Sequence, residues 1–216
     1  MSQNLFRAVL MGAPGSGKGT VSARIVKTFN MKYISSGDML RSNIEQKTDL
    51  GNIADQYIRD GKLVPDIYVT KCILSELEKL KSKSWLLDGF PRTLDQADEL
   101  LHTEPIDTVI NLDVPFDVII DRLRSRWVHL PSGRVYNIGF NDPKVPGKDD
   151  VTGEPLIQRP DDNPVAVQKR LEIYEACTKP LNTYFKQRGI LVTFSGKTTD
   201  EIWPNVKKFL EEKIKK

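Results

Sequence analysis

A run of nine residues, Gly12-Ala13-Pro14-Gly15-Ser16-Gly17-Lys18-Gly19-Thr20, constrains this chain more than any other part of it. It follows the apolar stretch Phe6-Arg7-Ala8-Val9-Leu10-Met11, which reads as a buried strand of a parallel sheet. From Val21 to Phe29 the apolar residues are spaced as on one face of a helix. Strand, glycine loop and helix in that order form the context in which such a loop cradles phosphate. Glycines at 12, 15 and 17 let backbone N–H groups turn inward with no Cβ in the way. The helix N-terminus adds unpaired donors and the positive end of its dipole. Lys18 then sets a full charge against the outer phosphates of a nucleoside triphosphate. One residue departs from the general pattern: Gly19 stands where a magnesium-holding Ser or Thr follows the lysine, and the hydroxyl arrives at Thr20.

A length of 216 residues suits one domain with insertions. The formal charge of +3 gives no global field that would draw the protein to nucleic acid, so the placement of the arginines matters more than their number. Cys72 and Cys177 belong to no paired spacing, which predicts two buried thiols in a reducing compartment rather than a disulfide or a cysteine-based zinc site. No stretch approaches the roughly 20 apolar residues that span a membrane. The first strand begins within a few residues of Met1, so no removable leader is expected.

Strand-like runs at 6–11, 85–87, 109–112 and 190–194 alternate with helical patterns, which predicts an α/β fold with a doubly wound parallel sheet and helices on both faces. Ligands in such sheets sit beyond the carboxyl ends of the strands, which puts 12–20, 88–92 and 195–199 on one rim. Two segments break the alternation. Residues 35–64 read as a helical insertion, and residues 127–163, rich in Gly, Pro and Asp with hairpin-like pieces, read as a lid. The core is then expected over 1–34, 65–126 and 164–216.

Asp88, at the end of an apolar run beside the phosphate loop, suits magnesium held directly or through water; the alternative is a cap for the helix that starts near Thr93. Arg41, Arg92, Arg122, Arg126, Arg134, Arg159 and Arg170 lie in or beside the rim and the insertions. Phosphoryl transfer needs charge neutralised on several oxygens at once, and the guanidinium fork supplies it. Arg170 could instead pair with Glu172 or Glu175. If a nucleoside monophosphate is the acceptor, its oxygens are already ionised, so neither His102 nor His129 is needed as a base.

The loop at 12–20, the Ser35-Ser36-Gly37-Asp38-Met39-Leu40-Arg41 run, Asp88-Gly89-Phe90-Pro91-Arg92-Thr93, Asp113-Val114-Pro115, the 132–136 and 149–154 pieces and Arg159 together resemble the adenylate kinases of the long-lid type, end to end. Details at 108–112, Arg126-Trp127, 194–196 and Ile202-Trp203-Pro204 are most similar to the branch that uses GTP as donor to AMP in the mitochondrial matrix; a cytoplasmic location is the alternative. The resemblance implies that Gly15, Ser16, Gly17, Lys18, Gly19 and Thr20 hold the donor phosphates. It implies that Arg122, Arg126, Tyr136, Asn137 and Thr199 contact the donor nucleotide, although Tyr136 suits a strand core equally well. Ser36, Arg41, Lys62, Leu63, Val64, Gly89, Phe90, Pro91, Arg92 and Gln96 would bind AMP, with Arg159 and Arg170. Lys18, Arg92, Arg126, Arg159 and Arg170 would be catalytic. Residues 35–64 become the AMP-binding insertion.

Some relatives hold zinc in the lid. The matching positions here are His129, Ser132, Asp149 and Thr152, of which Ser and Thr are poor ligands, so a hydrogen-bonded cluster and no structural zinc are expected. Mg2+ accompanies the nucleotide, with Asp88 and Thr20 as its candidate contacts. The expected activity is reversible phosphoryl transfer from a nucleoside triphosphate to AMP by a monomer with small-molecule partners only, neither nucleic acid nor membrane. The alternatives are an ATP-preferring enzyme and a catalytically silent nucleotide-binding partner protein.

Overall fold

The computed structural model describes residues 5–214. The chain opens with β1 (Arg7–Gly12), α1 (Lys18–Phe29) and β2 (Lys32–Ser35), followed by the helices α2 (Ser36–Glu45), α3 (Asp49–Arg59) and α4 (Asp66–Glu78). Next come β3 (Trp85–Asp88), α5 (Leu94–Thr103), β4 (Thr108–Asp113) and α6 (Phe116–Arg124). The strands β5 (Arg126–His129) and β6 (Arg134–Asn137) pair with each other alone, antiparallel. The helix α7 (Pro164–Ile173) runs into a π-helical turn at Tyr174–Thr178, and α8 (Leu181–Gln187), β7 (Leu191–Ser195) and α9 (Thr199–Ile214) complete the chain.

The main sheet has the order β2-β3-β1-β4-β7, and every pairing in it is parallel. Its central strands are buried on both faces, which is why their sequences are continuous apolar runs. Side chains alternate between two cores. Ala8 and Leu10 join Ile25, Ile119 and Val206 on the side of α1, α6 and α9. Val9 and Met11 join Ile73, Leu100 and Phe185 on the side of α4, α5 and α8.

Two expectations need correction. The edge strand β2 was not expected, because only Ile34 of its four residues is buried and an edge strand that short carries no apolar run. Cys72 and Cys177 are free but partly exposed, not buried. No helix among the described residues is long and apolar enough to cross a membrane. The charged run 211–216 reads in the sequence as a frayed, solvated helix end; its residues 215 and 216 lie outside the described residues.

Register fixes the rim. Leu10 pairs with Asp88, Ser35 with Asp88, and Asp113 with Ser195, so the strands end together. Segment 35–64 carries α2 and α3, and 127–163 carries the hairpin and its turns. The hairpin tip and α2 meet over the rim: a Cβ at Gly133 would lie 3.8 Å from the Asp38 carboxylate.

Candidate active site

The glycine loop turns as tightly as its composition predicts. Gly12 has φ 146°, and a Cβ there would stand 2.7 Å from Ser16 Oγ and 2.8 Å from the Leu112 carbonyl oxygen, so no larger residue fits. Gly17, also left-handed, precedes α1 without a side-chain cap, and no acidic residue occupies the first turn. The N–H groups at that end are left for an anion. Lys18 Nζ donates to the carbonyl oxygens of Gly12 (2.8 Å) and Ala13 (2.9 Å), which folds it back over the loop. Burial lowers its pKa to about 8, while Asp88 pulls it up and Arg92 adds to the lowering.

At the end of β3, Asp88 accepts a hydrogen bond from the Tyr33 hydroxyl at 3.0 Å. Burial raises its pKa, while Lys18 and Tyr33 draw it down. Thr93, not Asp88, caps α5, accepting from Gln96 N. Arg92 donates from Nε to the Gly89 carbonyl at 2.7 Å, and burial lowers its pKa to about 10. The hydroxyl of Ser36 holds the same carbonyl at 2.7 Å.

The arginines are held by carboxylates that the sequence did not single out. Arg126 donates from Nε to Asp162 at 2.7 Å and from Nη2 to the other oxygen of that carboxylate. Arg170 pairs with Asp161 at 2.9 Å and Asp162 at 3.2 Å, not with Glu172 or Glu175. Arg41 pairs with Asp38. Burial lowers Arg159 to about 9, with Arg41 and Arg126 adding to the effect, and its Nε has no partner within the protein. Arg122 donates to the Lys197 carbonyl at 2.7 Å, and its guanidinium lies 4.8 Å from the centre of the Phe140 ring.

These groups surround one cavity of about 510 Å³. Gly15, Gly17, Lys18, Gly19 and Thr20 line it, with Arg122, Arg126, Asn137 and Thr199. So do Ser36, Arg41, Lys62, Leu63, Val64, Gly89, Pro91, Arg92, Gln96, Asp88, Arg159 and Arg170. Three expected residues do not: Ser16 Oγ is buried without a partner, the Phe90 ring belongs to the apolar core, and Tyr136 is buried inside the hairpin. The Tyr136 hydroxyl donates to Asp149 at 3.0 Å and accepts from Asp150 N at 2.8 Å, so its polar end is committed away from the cavity. Arg134 is likewise committed away from the cavity, donating twice to Asp149 at 2.7 and 2.6 Å.

The donor set suits a magnesium ion that arrives with nucleotide. Such an ion takes one or two carboxylates, with phosphate oxygens and water completing its shell. Asp88 supplies one carboxylate on the cavity wall and Thr20 one hydroxyl. Among the described residues no three His, Cys, Asp or Glu side chains converge as a resident metal would require. In the hairpin, His129 bonds Ser132 at 2.7 Å and Glu154 at 2.5 Å, and Thr152 donates to Asp149 at 3.0 Å. The four positions that hold zinc in some relatives thus join one hydrogen-bonded cluster.

A family model described as adenylate kinase matches residues 10–190. The chain belongs to the adenylate kinase family. It is 55% identical over 214 residues, 99% of each chain, to a Drosophila melanogaster protein named "GTP:AMP phosphotransferase, mitochondrial". A Saccharomyces cerevisiae protein of the same name is 49% identical over 219 residues, covering 97% of this chain and 94% of the relative.

Sequence reasoning assigned no role to Asp38, Asp161, Asp162, Tyr33 or Phe140. Two signals were available. The acidic pair Asp161-Asp162 directly follows Arg159-Pro160, and Phe140 is the only aromatic residue between Tyr136 and Tyr174.

Proposed function

We propose that this protein reversibly transfers the terminal phosphoryl group of a nucleoside triphosphate to AMP, with GTP preferred over ITP and ATP. The observation that carries the reading is the single cavity. The phosphate loop forms one wall, Ser36, Arg41 and Gln96 form another, and Arg92, Arg126, Arg159 and Arg170 line the same space. The donor preference is supported by relatives 49–55% identical that are named GTP:AMP phosphotransferase.

In the reaction an oxygen of the AMP phosphate bonds to the γ-phosphorus as the bond from that phosphorus to the β-phosphate oxygen breaks. The attacking oxygen is already ionised at neutral pH, so no proton has to be removed, and catalysis is alignment plus charge stabilisation. The Gly15–Thr20 backbone and Lys18 hold the donor phosphates, and Arg122, Asn137 and Thr199 face the donor nucleoside. Arg92 and Arg41 hold the AMP phosphate, and Gln96 reads its base. Arg126, Arg159 and Arg170 neutralise the oxygens of the moving group. Asp88 and Thr20 would hold a magnesium ion arriving with the nucleotide, which would neutralise further phosphate charge. Residues 35–64 act as the AMP-binding insertion and 127–163 as a lid that excludes water. The protein works as a monomer in the mitochondrial matrix; the relatives' names support the mitochondrion as its location.

The test compares initial rates of transfer to AMP from Mg-GTP, Mg-ITP and Mg-ATP. Faster transfer from GTP and ITP is expected. Fastest transfer from ATP would overturn the donor preference, and nucleotide binding without any transfer would leave a silent binding protein.

A further inference from the structure

Two hydrogen bonds decide which way round the Gln96 side chain sits. Its Oε1 accepts from the backbone N–H of Arg92 at 2.7 Å, and its Nε2 donates to Asp66 Oδ1 at 2.7 Å. Asp66 lies in the first turn of α4, apart from the residues that line the cavity. Its other oxygen accepts from Thr93 Oγ1 at 2.5 Å, which ties the carboxylate to the start of α5.

A backbone N–H can only donate, and an ionised carboxylate can only accept. Turning the amide over would set its oxygen against the carboxylate and its NH2 against the Arg92 N–H. Gln96 is 2% exposed, and two mismatched contacts in so buried a place are costly. The amide therefore has one orientation. It keeps one free N–H and one free lone pair, and the residue lines the cavity.

A donor beside an acceptor, in fixed order, distinguishes purines. On the Watson–Crick edge of adenine N1 accepts and the N6 amino group donates. In hypoxanthine and guanine N1–H donates and O6 accepts, the reverse order. A glutamine free to turn over pairs with either edge, whereas one that cannot turn pairs with adenine alone.

We propose that Asp66 is a positioning residue for acceptor specificity: it locks the Gln96 amide in the orientation that takes adenine and refuses 6-oxopurine monophosphates. The inference rests on the assignment of Gln96 to the AMP base given above. Asp66 touches no substrate. It acts through Gln96, with the Arg92 N–H as the second point of the lock.

The experiment measures kcat and KM for AMP and for IMP, with Mg-GTP as donor, in Asp66→Ala and in the near-isosteric Asp66→Asn. In Asp66→Ala, losing a buried charge-assisted hydrogen bond predicts a KM for AMP raised about tenfold and a preference for AMP over IMP lowered by about the same factor; Asp66→Asn, whose Oδ1 still accepts from Gln96 Nε2, should show a smaller change of the same sign. The KM for GTP should stay within about twofold. Thr93→Val removes the other bond to Asp66 and the α5 cap but keeps the pair with Gln96. It should lower the melting temperature without moving the AMP-to-IMP ratio. If Asp66→Ala and Asp66→Asn leave the ratio unchanged while Gln96→Leu collapses it, the lock is wrong and the AMP site stands. If Gln96→Leu leaves the ratio unchanged, the base assignment fails and the lock fails with it. An equal fall in Thr93→Val would also overturn the proposal, because general loosening would then explain the effect.

Discussion

Gly61 lies so close to Ala166 that a Cβ on it would stand 2.6 Å from the Ala166 carbonyl oxygen and 3.1 Å from its Cα. Gly61 follows α3 with φ 68°, and Ala166 is in the first turn of α7, the helix that carries Arg170. Gly61→Ala combines about 1 kcal/mol or more of left-handed strain with that clash. The 35–64 segment should then fail to seat against α7. Steady-state kinetics should show the KM for AMP rising by about tenfold while the KM for the donor stays within about twofold. An equal rise in both would count against the division of the cavity.

Asp162 holds both Arg126 and Arg170, and its side chain is 3% exposed. Asp162→Ala leaves two buried guanidinium groups short of their shared partner, a change that costs about 3–5 kcal/mol when such a pair is broken. Turnover should fall about a hundredfold through misplacement of the two arginines. Denaturant unfolding and kcat together check this, and wild-type turnover with lowered stability would confine Asp162 to a structural role.

Lys18 titrates at about 8 in the ligand-free protein because burial disfavours its charge. A lysine lowered from its ordinary 10.5 makes the unfolded chain bind more protons between about pH 8 and 10.5, so its contribution to stability rises over that window. Lys18→Met should flatten that part of the melting profile and lower kcat by about 10²-fold or more. Donor phosphates favour the charged ammonium, so binding of GTP at pH 9 should take up a proton. Calorimetry in buffers of different ionisation enthalpy detects that uptake, and none at pH 9 would contradict the assignment.

Inside the hairpin, Asp149 accepts from Arg134, Tyr136, Val151 N and Thr152. The Arg134 hydrogen bonds, with those from Thr152 and Tyr136, hold its carboxyl well below the usual carboxylate range. Its contribution is complete above its unfolded value of 3.8 and is lost only as pH falls through the lower folded value. Asp149→Asn should melt earlier than wild type at pH 7, and the two curves should converge in strong acid. Parallel curves down to pH 2 would refute this.

What the sequence made legible follows from how local each signal is. The phosphate loop is written in consecutive residues, since tight backbone turning needs glycine at fixed places. The four apolar strands were equally plain, because burial on both faces leaves no polar alternation. β2 was not, as a four-residue edge strand with one buried side chain is no run. The partners of the arginines were also hidden. Asp162 meets Arg126 across 36 residues, and Asp66 meets Gln96 across 30, so no spacing rule connects them. Tyr136 shows the reverse limit: alternation along β6 places neighbouring residues on opposite faces, so Val135 and Asn137 line the cavity while Tyr136 fills the hairpin.

The pairing of Arg126 with Asp162 joins the two ends of the excursion between them. With its base pinned, the entropy of closing that loop changes only as the logarithm of its length. The segment is thus modular, open to lengthening, shortening or replacement between its anchors while the groups at its base keep their places. Grafting a different hairpin between positions 127 and 158 is the engineering route this offers: it exchanges the cavity-lining Val135, Asn137 and Phe140 while Arg126, Arg159 and Arg170 on either side are left untouched.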